Sequence, residues 1–408
     1  MKKNLLAGAF LLSAMTSFGG GYDLNLQGLR QLAMGGTGTA IAWDASTIFY
    51  NPAGMSDLKS IQVYADVVAV MPTTAFGNSM GSAVSKPQTF TPFSFYVGGP
   101  IQQGSKFAVG LGIYTPAGLG IAWPDNWQGS NIVQSVQFSA FFFQPTISYQ
   151  VNDFLSVGGG FVYGIGTFDF KSTLPVESYV GNNDTLGSGH LHGTATGAGF
   201  NLGVHLKIND NLQIGLNYRS QVNMGISSGS ATFSVPSALT SEFPATHFDS
   251  DVPIPQVASI GVGWKTGKLT LQFDLNYTGW NSFDSLRINF AENTAALQNE
   301  HAPRHYRNTL TPRAGANYKI SKIVSLMAGA YFDPTPVVNG FVSPDLPDAN
   351  RIGGSCGISV KPWPRLTVLA ALEGVSSLKR NATYDYAQFD GTYKTEVISL
   401  GLGFYYNL

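Results

Sequence analysis

Apolar and polar side chains alternate along most of this chain. In Leu269–Thr278, Leu269, Leu271, Phe273, Leu275 and Tyr277 fall on one face of an extended strand, and Thr270, Gln272, Asp274, Asn276 and Thr278 fall on the other. Over 212–226, Leu212, Ile214, Leu216, Tyr218, Val222, Met224 and Ile226 read as one face, with Gln213, Gly215, Asn217, Arg219, Gln221 and Asn223 opposite. The polar face carries amides, hydroxyls and glycine where a soluble sheet would carry charge. Segments of about 10 residues with this alternation are the signature of strands that cross a membrane in a barrel.

The breaks between segments come in two kinds. Short breaks fall at 102–106 (QQGSK), 151–153 (VND), 208–211 (INDN), 265–268 (KTGK), 319–322 (KISK) and 361–364 (KPWP). Longer stretches rich in Pro and Ser lie between them, at roughly 72–90, 116–131, 173–193, 233–253, 290–305, 334–350 and 378–390. Short turns alternating with long loops give a barrel two unlike ends, periplasmic and extracellular. Six short turns and seven long loops predict an all-β antiparallel barrel of about 14 strands with both chain ends on the short-turn side. At the carboxyl end Ile398, Leu400, Leu402, Phe404, Tyr406 and Leu408 alternate with small or polar residues, the form of a closing strand for the barrel-insertion machinery. The usual last residue there is aromatic, and Leu408 departs from it.

Composition agrees. Charged residues are 12%, about half the usual share of a soluble chain, and Gly is 48 of 408 residues. No apolar run after the leader is long enough for a spanning helix. The net charge of −1 leaves no footprint for nucleic acid, and a single cysteine, Cys356, excludes an internal disulfide. Residues 1–19 read as a secretory signal, with Lys2 and Lys3 before a short apolar core and small Ser17 and Gly19 at the cleavage site.

Residues 20–57 break the strand pattern. In WDASTIFYNPAGM (43–55), Asp44 is placed to cap a short helix ending at Phe49 or Tyr50, and Asn51-Pro52 ends it. GGTGTA (35–40) lacks the Lys-Ser/Thr and the preceding strand of a phosphate loop. The predicted division is therefore signal 1–19, a compact segment 20–57 and a barrel 58–408.

With NPAG at 51–54 just before the first strand, and LNYRSQV (216–222), YTGWNSF (277–283) and FDPTPV (332–337) in order behind it, the chain resembles the FadL/TodX-type family of outer-membrane transporters. That family takes up long-chain fatty acids and other hydrophobic compounds. The resemblance implies that 20–57 fold inside the barrel as a hatch, with Asn51, Pro52, Ala53 and Gly54 as its motif. It implies passive uptake of a hydrophobic ligand by loop capture, passage to a pocket beside the hatch, and sideways exit where strand three is interrupted. Strand three here is FAVGLGIYT (107–115) followed by PAGLG, which makes Gly110, Gly112, Pro116 and Gly118 the candidate opening. Candidate ligand contacts are Ile48 and Phe49 of the hatch, Phe243 and Phe248 of the 233–253 loop, and the basic Arg219, Arg304 and Arg313. Leu174, Val176, Tyr179, Val180 and Leu186 of 173–193 extend the apolar loop surface. On strand five, where fatty-acid-transporting members of that family present a basic residue, this chain reads the neutral FVYGIGTF (161–168), which favours an uncharged or unknown hydrophobic ligand over a free fatty acid.

Strand parity places Asp66, Arg219, Asp274, Arg313 and Glu373 inside, with Asp274 and Arg313 at matching heights. Such a lumen pair serves to hold the hatch. Enzymatic chemistry is not expected. His190 and His192 could share a metal on one strand face, but they lie in the 173–193 loop beside Gly and Ser and lack a third ligand, so no metal and no cofactor are predicted. Expected partners are the hydrophobic ligand, outer-membrane lipid and lipopolysaccharide, and the insertion machinery, for a monomer. A polar-solute porin would lack a plug, and a surface adhesin would use the loops for a host partner. These are the two alternatives.

Overall fold

The computed structural model describes residues 21–176 and 186–408. The signal segment, Tyr179 and Val180 lie outside the described residues. Twenty ladder segments join into a closed antiparallel barrel of 14 strands. Strand β1 is Gln62–Asn78. Strand β2 is Gly81–Val84 continued by Phe93–Pro100. Strands β3 to β6 are Phe107–Ala122, Ser135–Gln150, Leu155–Pro175 and Leu186–Lys207. Four strands then run in two pieces each: β7 (Leu212–Arg219, Val222–Ser234), β8 (Thr246–Ile254, Val257–Thr266), β9 (Leu269–Thr278, Ser285–Phe290) and β10 (Glu300–Pro303, Thr309–Lys319). The rest are β11 (Val324–Asp333), β12 (Arg351–Trp363), β13 (Leu366–Ser377, Arg380–Tyr384) and β14 (Phe389–Asn407). β14 pairs with β1 from Gln62↔Asn407 to Gly77↔Thr392, so no strand edge is left open there.

The alternation sorts side chains as the period of two requires. On β9, Leu271 and Phe273 are exposed on the outer wall, while Thr270, Gln272 and Asp274 are buried in the lumen. The same outward apolar belt includes Phe161, Leu202, Ile260, Leu310 and Leu402. An exposed apolar band of that extent needs an apolar surround. No helix among the described residues is long and apolar enough to cross a membrane; the strands present the belt instead.

The reading of 212–226 as one face needs correcting. Between Arg219 and Val222 the strand breaks, and the face reverses. Leu212 and Leu216 point outward, but Val222, Met224 and Ile226 are buried. The extra residue in the break moves every later side chain to the other face.

The core lies in the lumen, made by the amino-terminal segment. Helix α1 is Leu29–Ala33 and helix α2 is Thr47–Tyr50; a 3-10 turn follows at Pro52–Asp57. Leu29, Leu32, Met34, Ile48 and Met55 are fully buried. The inner wall admits this backbone through missing side chains. A Cβ on Gly329 of β11 would fall on the backbone of Met34 and Gly35, and one on Gly215 of β7 would fall on that of Thr39. β1 begins at Gln62, a few residues after the expected start.

Candidate ligand cavity and wall opening

Asn51 ties the two short helical pieces together. It leaves the helical region at φ −164° and its side chain accepts from the Ala53 amide at 3.2 Å. Its Nδ2 donates to the Thr39 carbonyl at 2.8 Å and to that of Val204 on β6 at 3.0 Å. Pro52 starts the 3-10 turn, where its missing N–H costs nothing. Ser46, not Asp44, occupies the N-cap of α2; Asp44 accepts from the Ser46 amide at 3.0 Å.

Asp274 and Arg313 are direct cross-strand neighbours, yet each turns to the amino-terminal segment. Asp274 Oδ2 accepts from the amides of Gly38 and Thr39, both at 2.9 Å. Arg313 Nη1 donates to the Gly35 carbonyl at 3.2 Å. Asp274→Ala leaves two buried amides without an acceptor, at about 1–3 kcal/mol each. The expected result is a lower urea midpoint for proteolytic nicking of 21–57 with the barrel intact. An unchanged midpoint would show that this carboxylate does not anchor the segment.

Above the segment lies a cavity of about 450 Å³. Tyr22, Leu24, Phe90, Leu119 and Phe138 form its apolar side, and Leu346 and Pro347 of the 334–350 loop line it too. The opposite side is ionic. Arg351 pairs with Asp333 at 3.2 Å and stands 3.8 Å from Asp348, while Asp348 accepts from Thr335 at 2.6 Å. Arg219 and Arg313 also line the cavity but have no carboxylate within pairing distance among the described residues. Arg219 lies 3.8 Å over the Phe49 ring, and Arg313 lies 4.6 Å over that of Tyr331. Arg219 Nη1 and Arg313 Nε are buried without an acceptor. Burial pushes the Asp23 carboxyl up to about 6, against the pull of those two guanidinium groups.

The wall is interrupted beside this cavity. β2 and β3 pair from Pro100↔Ala108 to Ser94↔Tyr114 and then part. Beyond Tyr114, Thr115 Oγ1 reaches the Phe93 carbonyl at 3.5 Å, and Lys86 N–H to the Ala122 carbonyl, at 2.7 Å, rejoins the two above. On its other side β3 shifts register against β4 between Tyr114 and Ala117, at Thr115-Pro116. The free edge of β3 is met from inside by the amino-terminal chain. Leu24 N–H donates to Pro116 O at 2.9 Å, Gly118 N–H donates to Tyr22 O at 3.1 Å, and Asp23 bridges Ala117. Gln27 Nε2 reaches the Thr115 carbonyl at 2.6 Å. Phe90 lies against Gly120, and Leu24 against Gly118. The lining includes Phe138 on the inner face of β4 and Phe141 on its outer face, so the cavity reaches through the wall here.

The candidate residues sort accordingly. Pro116 and Gly118 lie in the interrupted stretch. Gly110 and Gly112 do not: each is paired on both sides, to Gly98 and Tyr96 and to Thr146 and Gln144. Their missing side chains make room for Ile48. PAGLG is strand rather than loop. Ile48 and Phe49 are packed beneath the cavity and do not line it. Phe243 and Phe248 are buried, Phe243 5.9 Å from Phe233 of β7 and Phe248 within β8 between Gly229 of β7 and Phe290 of β9, so they form no exposed patch. Val176 is buried too. Arg304 is buried and bound to Asp345 at 2.9 Å. Missed from the sequence were Tyr22–Leu24 and Arg351. The alternation of Tyr22, Leu24 and Leu26 with Asp23 and Asn25 was the signal for an added strand. Asp169 of β5 stands 2.7 Å from His190 and 3.3 Å from His192, but no cluster suited to a metal occurs among the described residues.

The family described as outer membrane protein transport protein (OMPP1/FadL/TodX) matches residues 10–408. Outer membrane protein P1 of Haemophilus influenzae is 26% identical over 90% of this chain and 89% of its own length. The long-chain fatty acid transport protein of Escherichia coli K12 is 23% identical, covering 87% of each chain. Among solved structures, a Pseudomonas aeruginosa FadL homologue superposes with a TM-score of 0.85 at 19% identity, over 95% of this chain and 100% of that one. The Pseudomonas putida toluene transporter TodX gives 0.72 at 18% identity, over 95% and 99%.

Proposed function

From the premise that this chain belongs to the OMPP1/FadL/TodX family of outer-membrane transport proteins, we propose that it takes up hydrophobic small molecules by passive diffusion. Residues 20–57 act as the hatch that blocks the axial path. The ligand enters from the long-loop end, settles in the 450 Å³ cavity against Phe90, Leu119 and Phe138, and leaves sideways between β2 and β3. The observation that carries this reading is the cavity lining, which runs from lumenal residues to Phe141 of β4, past a stretch of β3 that still pairs with β4 but meets Tyr22–Leu24 in place of β2 on its other edge. A lateral exit keeps an apolar molecule out of water, whereas an axial exit would release it into the periplasm. The named relatives, a fatty acid transporter and a toluene transporter, bracket the ligand class.

Cells carrying the protein should accumulate a fluorescent hydrophobic tracer faster than cells lacking it, with no gain in sugar permeation. Sugar flux without tracer uptake would make it a porin, and neither flux would leave an adhesin. Arg219 and Arg313, which line the cavity without a carboxylate partner, would receive an anionic head group. Replacing both with Met should weaken binding of a long-chain carboxylate about 10- to 100-fold, as expected for losing a charge-assisted hydrogen bond, and leave the matching alcohol unaffected. Equal losses for both compounds would assign the arginines to packing.

A further inference from the structure

Three of the short turns, KTGK, KISK and KPWP, carry basic residues that uptake from the long-loop end does not use. They belong to consecutive hairpins, β8–β9, β10–β11 and β12–β13, on one rim of the barrel. A second cavity, of about 670 Å³, opens there under the amino-terminal segment. Lys268, Lys319, Lys322 and Lys361 stand around it, and Arg30 of α1 lines it from within. No Asp or Glu lines it, and among the described residues none of these five cations is in an ion pair. The nearby buried carboxylate of Asp44 attracts Arg30 without touching it; its Oδ1 accepts from Ser46, and its Oδ2 has no partner.

The inner lining is a set of donors without acceptors. Arg30 is 6% exposed, lies 4.9 Å over the Trp43 ring, and gives Nη1 to Asn317 Oδ1 at 2.8 Å. Its Nε–H has no partner, and neither do Trp43 Nε1, Asn317 Nδ2 or Thr367 Oγ1. Buried donors are normally satisfied. Here four residues with unmet buried donors and five cations without an ion pair line one cavity. Lysines spread only over the outside of the turns would be a solvated rim; a buried arginine among the lining residues is not.

We infer that this cavity is an anion site for a phosphate group, separate from the hydrophobic cavity and on the opposite side of the amino-terminal segment. Phosphate offers more acceptor oxygens than a planar carboxylate, and so suits donors converging from several walls and the point charges of lysine. The group can belong to free phosphate or to the head of an anionic phospholipid in the inner leaflet. Exposed Ile320 and Ile323 beside the lysines would meet the acyl chains of the latter.

The test is thermal unfolding of the mature full-length protein in a neutral detergent. It is titrated with sodium phosphate against sodium chloride at matched ionic strength, and with dihexanoyl phosphatidylglycerol against the phosphatidylcholine. Ligand bound to the folded state raises Tm in a saturable way. A saturable rise with phosphate identifies the free anion as sufficient; a rise with phosphatidylglycerol alone identifies the lipid head group. In the double variant Lys319→Gln/Lys361→Gln, on the exposed rim, the basal Tm should hold and the apparent Kd should weaken at least about tenfold. Arg30→Gln should abolish the response. No rise with either probe, or the same rise in the lysine variant, overturns the site.

Discussion

A chain lacking residues 22–50 should insert as a complete barrel and conduct ions. β14 closes on β1 and β13 without a pair from the amino-terminal segment, whose bridge to the wall is the short one of Asp23 with Ala117. At that height the wall presents Gly215, Gly315 and Gly329 to the segment, so its removal leaves space that no wall side chain at these positions fills. Inward Thr270, Gln272, Asn317 and Ser399 would be wetted, as the lining of an open barrel requires. Barrels of roughly 8 strands fill themselves with side chains, while those of roughly 16–18 leave an aqueous channel. With 14 strands and a glycine-lined wall, this barrel stands near the open group once emptied. Single-channel conductance should rise by roughly an order of magnitude, the contrast between a plugged and a water-filled barrel. A current no different from that of the intact chain would mean that the segment does not block the axial path.

Uptake should become redox-controlled when the amino-terminal strand is fastened to β3. Asp23 and Ala117 form an antiparallel bridge whose flanking residues make the hydrogen bonds. Opposed Cα atoms at such a site lie about 4.5 Å apart, inside the range a disulfide spans. The variant Asp23→Cys/Ala117→Cys, with Cys356→Ser to remove the native thiol, should oxidise during export. With Tyr22–Leu24 held on the free edge, the wall stays closed and tracer uptake should fall to that of cells without the protein. Binding of the same tracer to purified protein should persist, and a reductant should restore uptake. Equal uptake in the oxidised and reduced forms would reject the route between β2 and β3 and leave passage along the axis.

Much of this fold can be read from the alternation of Leu269–Thr278 and its counterparts, because a period of two leaves each side chain only two destinations. Turn and loop lengths then give the strand number and the two unlike ends. Parity also placed Asp274 and Arg313 in the lumen. It could not name their partners, since those are backbone groups of Gly35, Gly38 and Thr39, over 230 residues away in sequence. PAGLG read as loop because proline disrupts a ladder; here Pro116 sits where β3 has no partner on one side, so no ladder bond is lost. Phe243 and Phe248 read as exposed because loop residues usually are, and only tertiary packing shows them covered. The basic turns were legible as turns. Their convergence on Arg30 depends on where α1 lodges, which no local pattern encodes.

The order of synthesis runs against the order of contact. Residues 21–57 leave the ribosome before any strand, yet their partners come late: Asn317 for Arg30, and Asp348 for the amide of Gly21, 327 positions on. The closing pair, Gln62 with Asn407, is separated by 345 positions. Contacts of such long range carry the largest loop-closure cost and form last. The first segment made is therefore among the last to dock, and its apolar Leu29, Leu32, Met34 and Ile48 must stay shielded through export by something other than their final neighbours. Periplasmic holding factors that grip this stretch would set the yield of finished protein, and changes in 21–57 would act on biogenesis before they act on transport.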